Sequence, residues 1–232
     1  VYTIKHFVPL LCIIGVSFLL VAKQPDLGTA LLVLGTGIIM CWLAGLPRKY
    51  FMFGALFVLV TAPISWKLLK PYQKQRIAVF LGHGQEQNER YQIEQSKIAI
   101  RSGGLTGKGF LKGTQNTLLF LPESRTDFIF AVICEEWGFL GALLVLSLFG
   151  ILFLRILWII GNIKQPFTQL LGYGLLLPCI LAAIINMGMV MGLLPAVGIP
   201  LPLISYGITH IWTTFAALGW IQSIAVRRSH LQ

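Results

Sequence analysis

Charge is scarce in this sequence. Charged side chains make up 11% of its 232 residues and only eight are acidic, against about 25% charged in soluble globular domains. That excludes an ordinary water-soluble domain. The four cysteines, Cys12, Cys41, Cys134 and Cys179, show no CxxC spacing and lie in or beside apolar runs. They read as small core residues rather than a disulfide framework or zinc site. His6, His83, His210 and His230 are scattered without metal-ligand spacing, and no serine stands in a G-x-S-x-G elbow, so covalent catalysis has no support. Ser102 to Gly109 contains a Gly-Lys pair but fails as a phosphate-binding P-loop: Gly109 replaces the required Ser or Thr, and Ser102 stands where the first glycine belongs. No internal repeat or matched pair of broken helices marks an inverted-repeat transporter. The first apolar run lacks a signal-peptide cleavage site, and a chain starting at Val1 rather than Met suggests further N-terminal sequence in the parent protein.

What is abundant is apolar: 56% of the residues are hydrophobic. Lipid offers the backbone no hydrogen-bonding partners, so such runs must form helices. The expected fold is all-α, a polytopic transmembrane helical bundle and a single membrane domain. Six spans can be drawn, at roughly 7–22, 28–46, 51–69, 131–160, 168–192 and 204–226. Arg48, Lys49, Lys164, Arg227 and Arg228 fall on one face and Lys23 is nearly alone on the other, which makes the first face cytoplasmic. The basic loop from about 70 to 126 is then extracytoplasmic, as the positive-inside rule permits for long loops. The net charge of +10 gathers in that loop and at helix ends, favouring membrane lipids or a pyrophosphate over nucleic acid.

The large loop is patterned. It carries a short helix predicted from Tyr91 to Ile100, a glycine-rich turn from Gly103 to Gly109, and a polar block ending in Leu121-Pro122-Glu123-Ser124-Arg125-Thr126-Asp127. A structured loop on a helical bundle suggests a site. Asp127 stands where the polar block meets an apolar run, at the depth of lipid headgroups. It fits two readings, a helix-capping acid or a general base acting on a substrate hydroxyl. Glu123 and Arg125 could supply an ion pair and a phosphate contact, or be a solvated surface pair of little energetic weight. Lys97 and Arg101 could neutralise charge on a departing phosphate, while Lys108 and Lys112 read equally as surface charges near headgroups. Glu135 and Glu136 lie two to three turns into the apolar run, where burial demands a partner. Pro200 and Pro202 predict an extended, re-entrant turn before the last span, the sort of irregular backbone that lines cavities.

Several blocks together resemble one family. Gln24-Pro25-Asp26-Leu27-Gly28-Thr29-Ala30, Tyr91-Gln92 with Gln95 to Ile100, Gly113-Thr114-Gln115, Leu121-Pro122-Glu123 with Thr126 to Ala131, Glu135-Glu136, and Gly198 to Gly207 are similar to the SEDS proteins of shape, elongation, division and sporulation. The Gly-Thr-Gln block leans towards the RodA branch over FtsW. The resemblance implies a peptidoglycan glycosyltransferase that polymerises lipid II into a glycan strand at the outer face of the bacterial cytoplasmic membrane, beside a class B penicillin-binding protein. Family members carry more spans than the six here, so the chain looks like the C-terminal part of one.

By position, the aspartate of the family's Thr-Asp-Phe motif falls on Asp127. Lys97, Arg101 and Glu123 fall in the loop around the substrate cavity, although Arg101 replaces a usually small residue, and Ser205 and Tyr206, in the matching block from Gly198 to Gly207, are expected with Arg125 to bind substrate. The resemblance also implies a divalent cation, Mg or Mn, with no ligand set evident. After Ser205-Tyr206-Gly207 the family usually continues with small residues, whereas this chain has Ile208-Thr209-His210. The expected function is lipid II polymerisation for rod-shape elongation with Asp127 as general base. Two rivals are a flippase for the lipid-linked precursor, suggested by Glu135-Glu136, and a non-catalytic truncated scaffold of the cell-wall complex, suggested by the departure at 208–210.

Overall fold

A computed structural model describes residues 7–24, 26–68, 71–80, 87–117, 121 and 123–230. Pro25, His83 and Pro122 lie outside the described residues. All regular elements among the described residues are helices, in the order α1 Val8–Lys23, α2 Leu27–Leu43, α3 Arg48–Leu68, α4 Pro71–Phe80, α5 Gln87–Gly103, α6 Thr114–Thr117, α7 Ile129–Gly161, α8 Pro166–Val190 and α9 Ile208–His230. The chain divides into two compact units, Val1–Gln85 and Glu86–Gln232.

In the first unit, α1 packs on α2. Pro9 in the first turn of α1 costs no hydrogen bond there, and Asp26 caps α2 by accepting from the Thr29 amide at 3.0 Å. Phe7, Cys41 and Leu46 form a buried cluster, joined by Leu10 and Ile14. The buried cysteine is thus packing material, as its surroundings predict. At 16 residues, α1 extends about 24 Å, shorter than a 30 Å hydrocarbon core.

In the second unit, α7 packs on α5 and α8, and α8 on α9. Only α7 and α8 are both long and apolar enough, among the described residues, to cross a membrane by that test alone. The six predicted spans correspond to α1, α2, α3, α7, α8 and α9. The last begins at Ile208 rather than near 204, because the backbone just before it is engaged elsewhere. Between α8 and α9 the chain is irregular from 191 to 207 yet buried, with Ile199, Leu201, Pro202 and Ser205 inside, as the Pro-x-Pro pattern predicts.

The long loop is more helical than the sequence suggests, since α5 runs 17 residues instead of the ten from Tyr91 to Ile100. Its buried face is Ile93, Ser96, Ala99 and Gly103, a three-to-four-residue spacing that lays one stripe against the spans. Ser96 donates to the Val190 carbonyl at 2.9 Å, satisfying one of the unpaired carbonyls that every helix leaves at its C-terminus.

α7 breaks at Gly138, where φ is 66° and ψ is −158°. The break separates the carbonyls of Glu135 and Glu136 from the amides of Phe139 and Leu140, their ordinary i+4 partners. The glycine-rich turn replaces both pairs. Lys108 and Gly109 amides donate to Glu135 and Glu136 carbonyls at 3.0 and 2.9 Å, while Phe139 and Leu140 amides donate to Gly104 and Leu105 carbonyls at 2.9 and 3.1 Å. A Cβ on residue 138 would meet the Gly107 nitrogen and the Leu105 carbonyl, so glycine is needed both for the torsion and for the close approach. Beyond the break, Phe139–Gly161 extends about 35 Å, enough to span the hydrocarbon core.

Candidate active site

The site is built on a tight turn ahead of α7. Thr126 and Phe128 amides both donate to the Glu123 carbonyl, at 3.2 and 3.1 Å, and Thr126 Oγ1 donates to Glu123 Oε2 at 2.9 Å. These local bonds present Asp127 half-buried at the turn's end. The N-cap of α7 is Phe128, so Asp127 stands one residue ahead of the capping position.

Three outside groups hold the turn. Asn186, buried in the last turns of the apolar α8, donates from Nδ2 to the Asp127 carbonyl at 2.8 Å and to the Ile199 carbonyl at 2.7 Å. Ser205 donates to the Thr126 carbonyl at 2.6 Å and accepts from the Leu201 amide at 2.7 Å. The Tyr206 amide donates to the Arg125 carbonyl at 2.9 Å. Three consecutive carbonyls, 125 to 127, are thereby tied to α8 and the 191–207 segment. The Asp127 carboxylate faces Gly198, with Oδ2 3.5 Å from where a Cβ there would stand.

Lys97 reaches the other end of the same segment. Its side chain crosses Gly192, whose φ of +73° and missing Cβ leave the space that the Lys97 stem and ammonium occupy. Arg101 follows one helical turn later and is exposed.

The structure thus gathers Glu123, Arg125, Asp127, Ser205 and Tyr206 at one turn, with Lys97 on the adjoining segment. Ser205 is buried and both its hydrogen-bonding roles are taken within the protein, so its place is to position the turn. Tyr206 contributes its backbone, and its ring is 69% exposed. Glu123 and Arg125 are exposed. Among the bulky residues departing from the family pattern, Ile208 and Thr209 are exposed and His210 is half-buried. Among the described residues no three His, Cys, Asp or Glu side chains converge, so these residues do not build a cation cage.

Asn186 was not singled out from sequence. Its signal was present, because an amide deep in an apolar 25-residue helix must find partners. Lys108 reads as a surface charge in the sequence but is the partner of Glu135, at 2.7 Å. The fully buried Glu135 carboxylate also accepts from the Thr114 amide at 2.8 Å, Thr114 Oγ1 at 2.9 Å and the Gln115 amide at 3.3 Å. It caps the first turn of α6, whose amides would otherwise be orphaned.

Helices that meet the length and apolarity of membrane spans, and irregular backbone buried beside them, define a polytopic helical membrane protein. Within that class the comparisons are specific. The chain belongs to the FtsW/RodA/SpoVE family of cell cycle proteins, which matches residues 2–230. It is 45% identical over 225 residues to the Escherichia coli K12 peptidoglycan glycosyltransferase MrdB, covering 95% of this chain and 60% of that protein. It is 38% identical over 189 residues to Treponema pallidum peptidoglycan glycosyltransferase RodA, covering 78% and 43%. The Bacillus subtilis stage V sporulation protein E is 36% identical over 222 residues, covering 95% and 60%. A chain solved in work on the structural coordination of polymerization and crosslinking by a peptidoglycan synthase complex superposes with a TM-score of 0.73 at 29% identity, over 94% of this chain and 60% of that one. A variant of the Thermus thermophilus rod shape determining protein RodA shares the fold, with a TM-score of 0.65 at 24% identity over 98% and 59%. The chain therefore spans about 60% of the length of relatives such as MrdB. Family and fold make it an integral inner-membrane protein.

Proposed function

We propose that the parent protein is a peptidoglycan glycosyltransferase that polymerises lipid II, with Asp127 as its general base and the site on the extracytoplasmic face. The observation carrying this reading is the fixed turn: carbonyls 125 to 127 tied to Asn186, Ser205 and Tyr206 hold one carboxylate at the edge of the apolar spans. A base held in place loses little freedom when it meets its hydroxyl. In the proposed step Asp127 takes the proton of the acceptor's 4-hydroxyl as that oxygen bonds to the donor's anomeric carbon. The bond from that carbon to the lipid pyrophosphate breaks, its electron pair leaving with the pyrophosphate, and the configuration inverts. Lys97, pinned over Gly192, is the cation suited to the departing charge. Arg101, Glu123 and Arg125, exposed around it, suit contacts to the polar head of the substrate. The name of MrdB supports the reaction, and the synthase-complex neighbour supports a class B penicillin-binding partner. Service in rod-shape elongation, rather than division or sporulation, is part of the proposal. So is a divalent cation, for which the described residues offer no ligand set.

The flippase reading rests on Glu135-Glu136 as a proton relay. Glu135 is instead consumed by Lys108 and the start of α6, which is the work of a structural clamp. The test reconstitutes the full-length parent protein with lipid II and a penicillin-binding partner whose own polymerising activity is absent. Glycan strands are expected from wild type and not from Asp127→Asn, with equal membrane insertion. Strands from the variant would refute Asp127 as the base, and precursor translocation without strands from wild type would favour the flippase.

A further inference from the structure

A groove separate from the Asp127 turn lies along α7. At the Gly138 break, the glycine-rich turn and the helix enclose a groove of about 490 Å³, walled by Phe110, Trp137, Leu140 and Leu144 with Gly109 and Glu136 at its inner end. That volume is within the about 300–1,000 Å³ typical of small-molecule sites. The groove shares no residue with the Asp127 turn.

Glu136 is the unusual member. It is only 7% exposed, it borders an apolar groove, and no described residue donates a hydrogen bond or ion pair to its carboxylate. Its neighbour Glu135 has four donors. Its oxygens are not among the fully enclosed, unpartnered polar atoms, so they open to their surroundings, and beside an apolar groove a carboxylate with no protein donor favours a ligand that brings one. The walls say what else that ligand carries. Phe110, Trp137 and Leu140 are 69%, 51% and 58% exposed, an apolar surface that suits a hydrocarbon chain, and a tryptophan there fits the headgroup level.

The geometry points to a binding site for a phospholipid with a primary-amine headgroup. Glu136 accepts from the ammonium, and an acyl chain lies along Trp137, Leu140 and Leu144. A quaternary ammonium has no N–H to give Glu136, and a purely anionic headgroup brings it no cation. The site is independent of the polymerase reading.

Native mass spectrometry of the full-length detergent-purified protein tests this, with phosphatidylethanolamine, phosphatidylcholine and phosphatidylglycerol of identical acyl chains as probes. Wild type should retain phosphatidylethanolamine about tenfold over phosphatidylcholine, the ratio expected for one charge-assisted bond. Glu136→Gln should bring the two level, whereas Glu94→Gln on the exposed face of α5 should change nothing. Leu140→Trp, which fills the groove without touching the carboxylate, should lower retention of all three lipids, and it decides the matter if Glu136→Gln does not fold. Equal retention of the amine and choline lipids by wild type would overturn the site and direct attention to a basic side chain of a partner protein. So would retention unaffected by Leu140→Trp.

Discussion

At the scale of single residues, Asn186 and Ser205 show how a membrane protein uses a polar side chain with no water at hand. Each sits among apolar neighbours and serves two backbone groups, replacing hydrogen bonds that irregular chain cannot make with itself. Removing Ser205 Oγ strands a buried amide and a buried carbonyl, at about 1–3 kcal/mol. Ser205→Ala should lower unfolding stability in detergent by that amount, and Ser205→Thr, which keeps the hydroxyl, should recover most of it; a neutral Ser205→Ala would show that the turn is held by other means. The position of Asp127, one carboxylate at the boundary between a polar block and an apolar run, was legible in the sequence, where capping and proton transfer both fitted it. The N-cap of α7 is Phe128, one residue beyond it. Asn186 was harder to see, since nothing in its local sequence names a partner 59 or 13 residues away.

At the scale of elements, the broken α7 and the turn that repairs it act as one piece. Their four exchanged backbone bonds explain the glycines between 103 and 109, which the sequence marked only as a glycine-rich turn. Gly138 was not read from sequence at all, because one glycine in a long apolar run looks like any other. Gly138→Ala would force a Cβ into the Gly107 nitrogen and the Leu105 carbonyl and strain the torsion by about 1–3 kcal/mol; thermal unfolding of the purified variant should show a loss at least that large. The Lys108–Glu135 pair secures the same junction. Lys108→Met should cost about 3–5 kcal/mol by leaving the buried Glu135 carboxylate without its cation, Glu135→Met should cost less because the Lys108 ammonium keeps access to solvent, and the double variant should cost clearly less than their sum. Additive losses in that cycle would mean the two side chains act separately.

For the whole molecule, the helical membrane class followed from composition, since 11% charge and 56% apolar residues leave no soluble alternative. The positions of the six apolar helices followed from run lengths. The loop was less legible, as its helicity depends on a stripe of Ile93, Ser96, Ala99 and Gly103 that becomes stable only against the spans. Its basic residues then divide by place: Lys108 goes inward to Glu135, Lys97 to the segment between α8 and α9, and Arg101 outward. The central claim is that this arrangement makes Asp127 a base rather than a binding group. The most direct test compares lipid II affinity with single-turnover strand formation for full-length wild type and Asp127→Asn. The account predicts affinity within about threefold and turnover lower by about 10²–10⁴, the usual contribution of a positioned base. A parallel loss of affinity and turnover, or turnover retained, would contradict it.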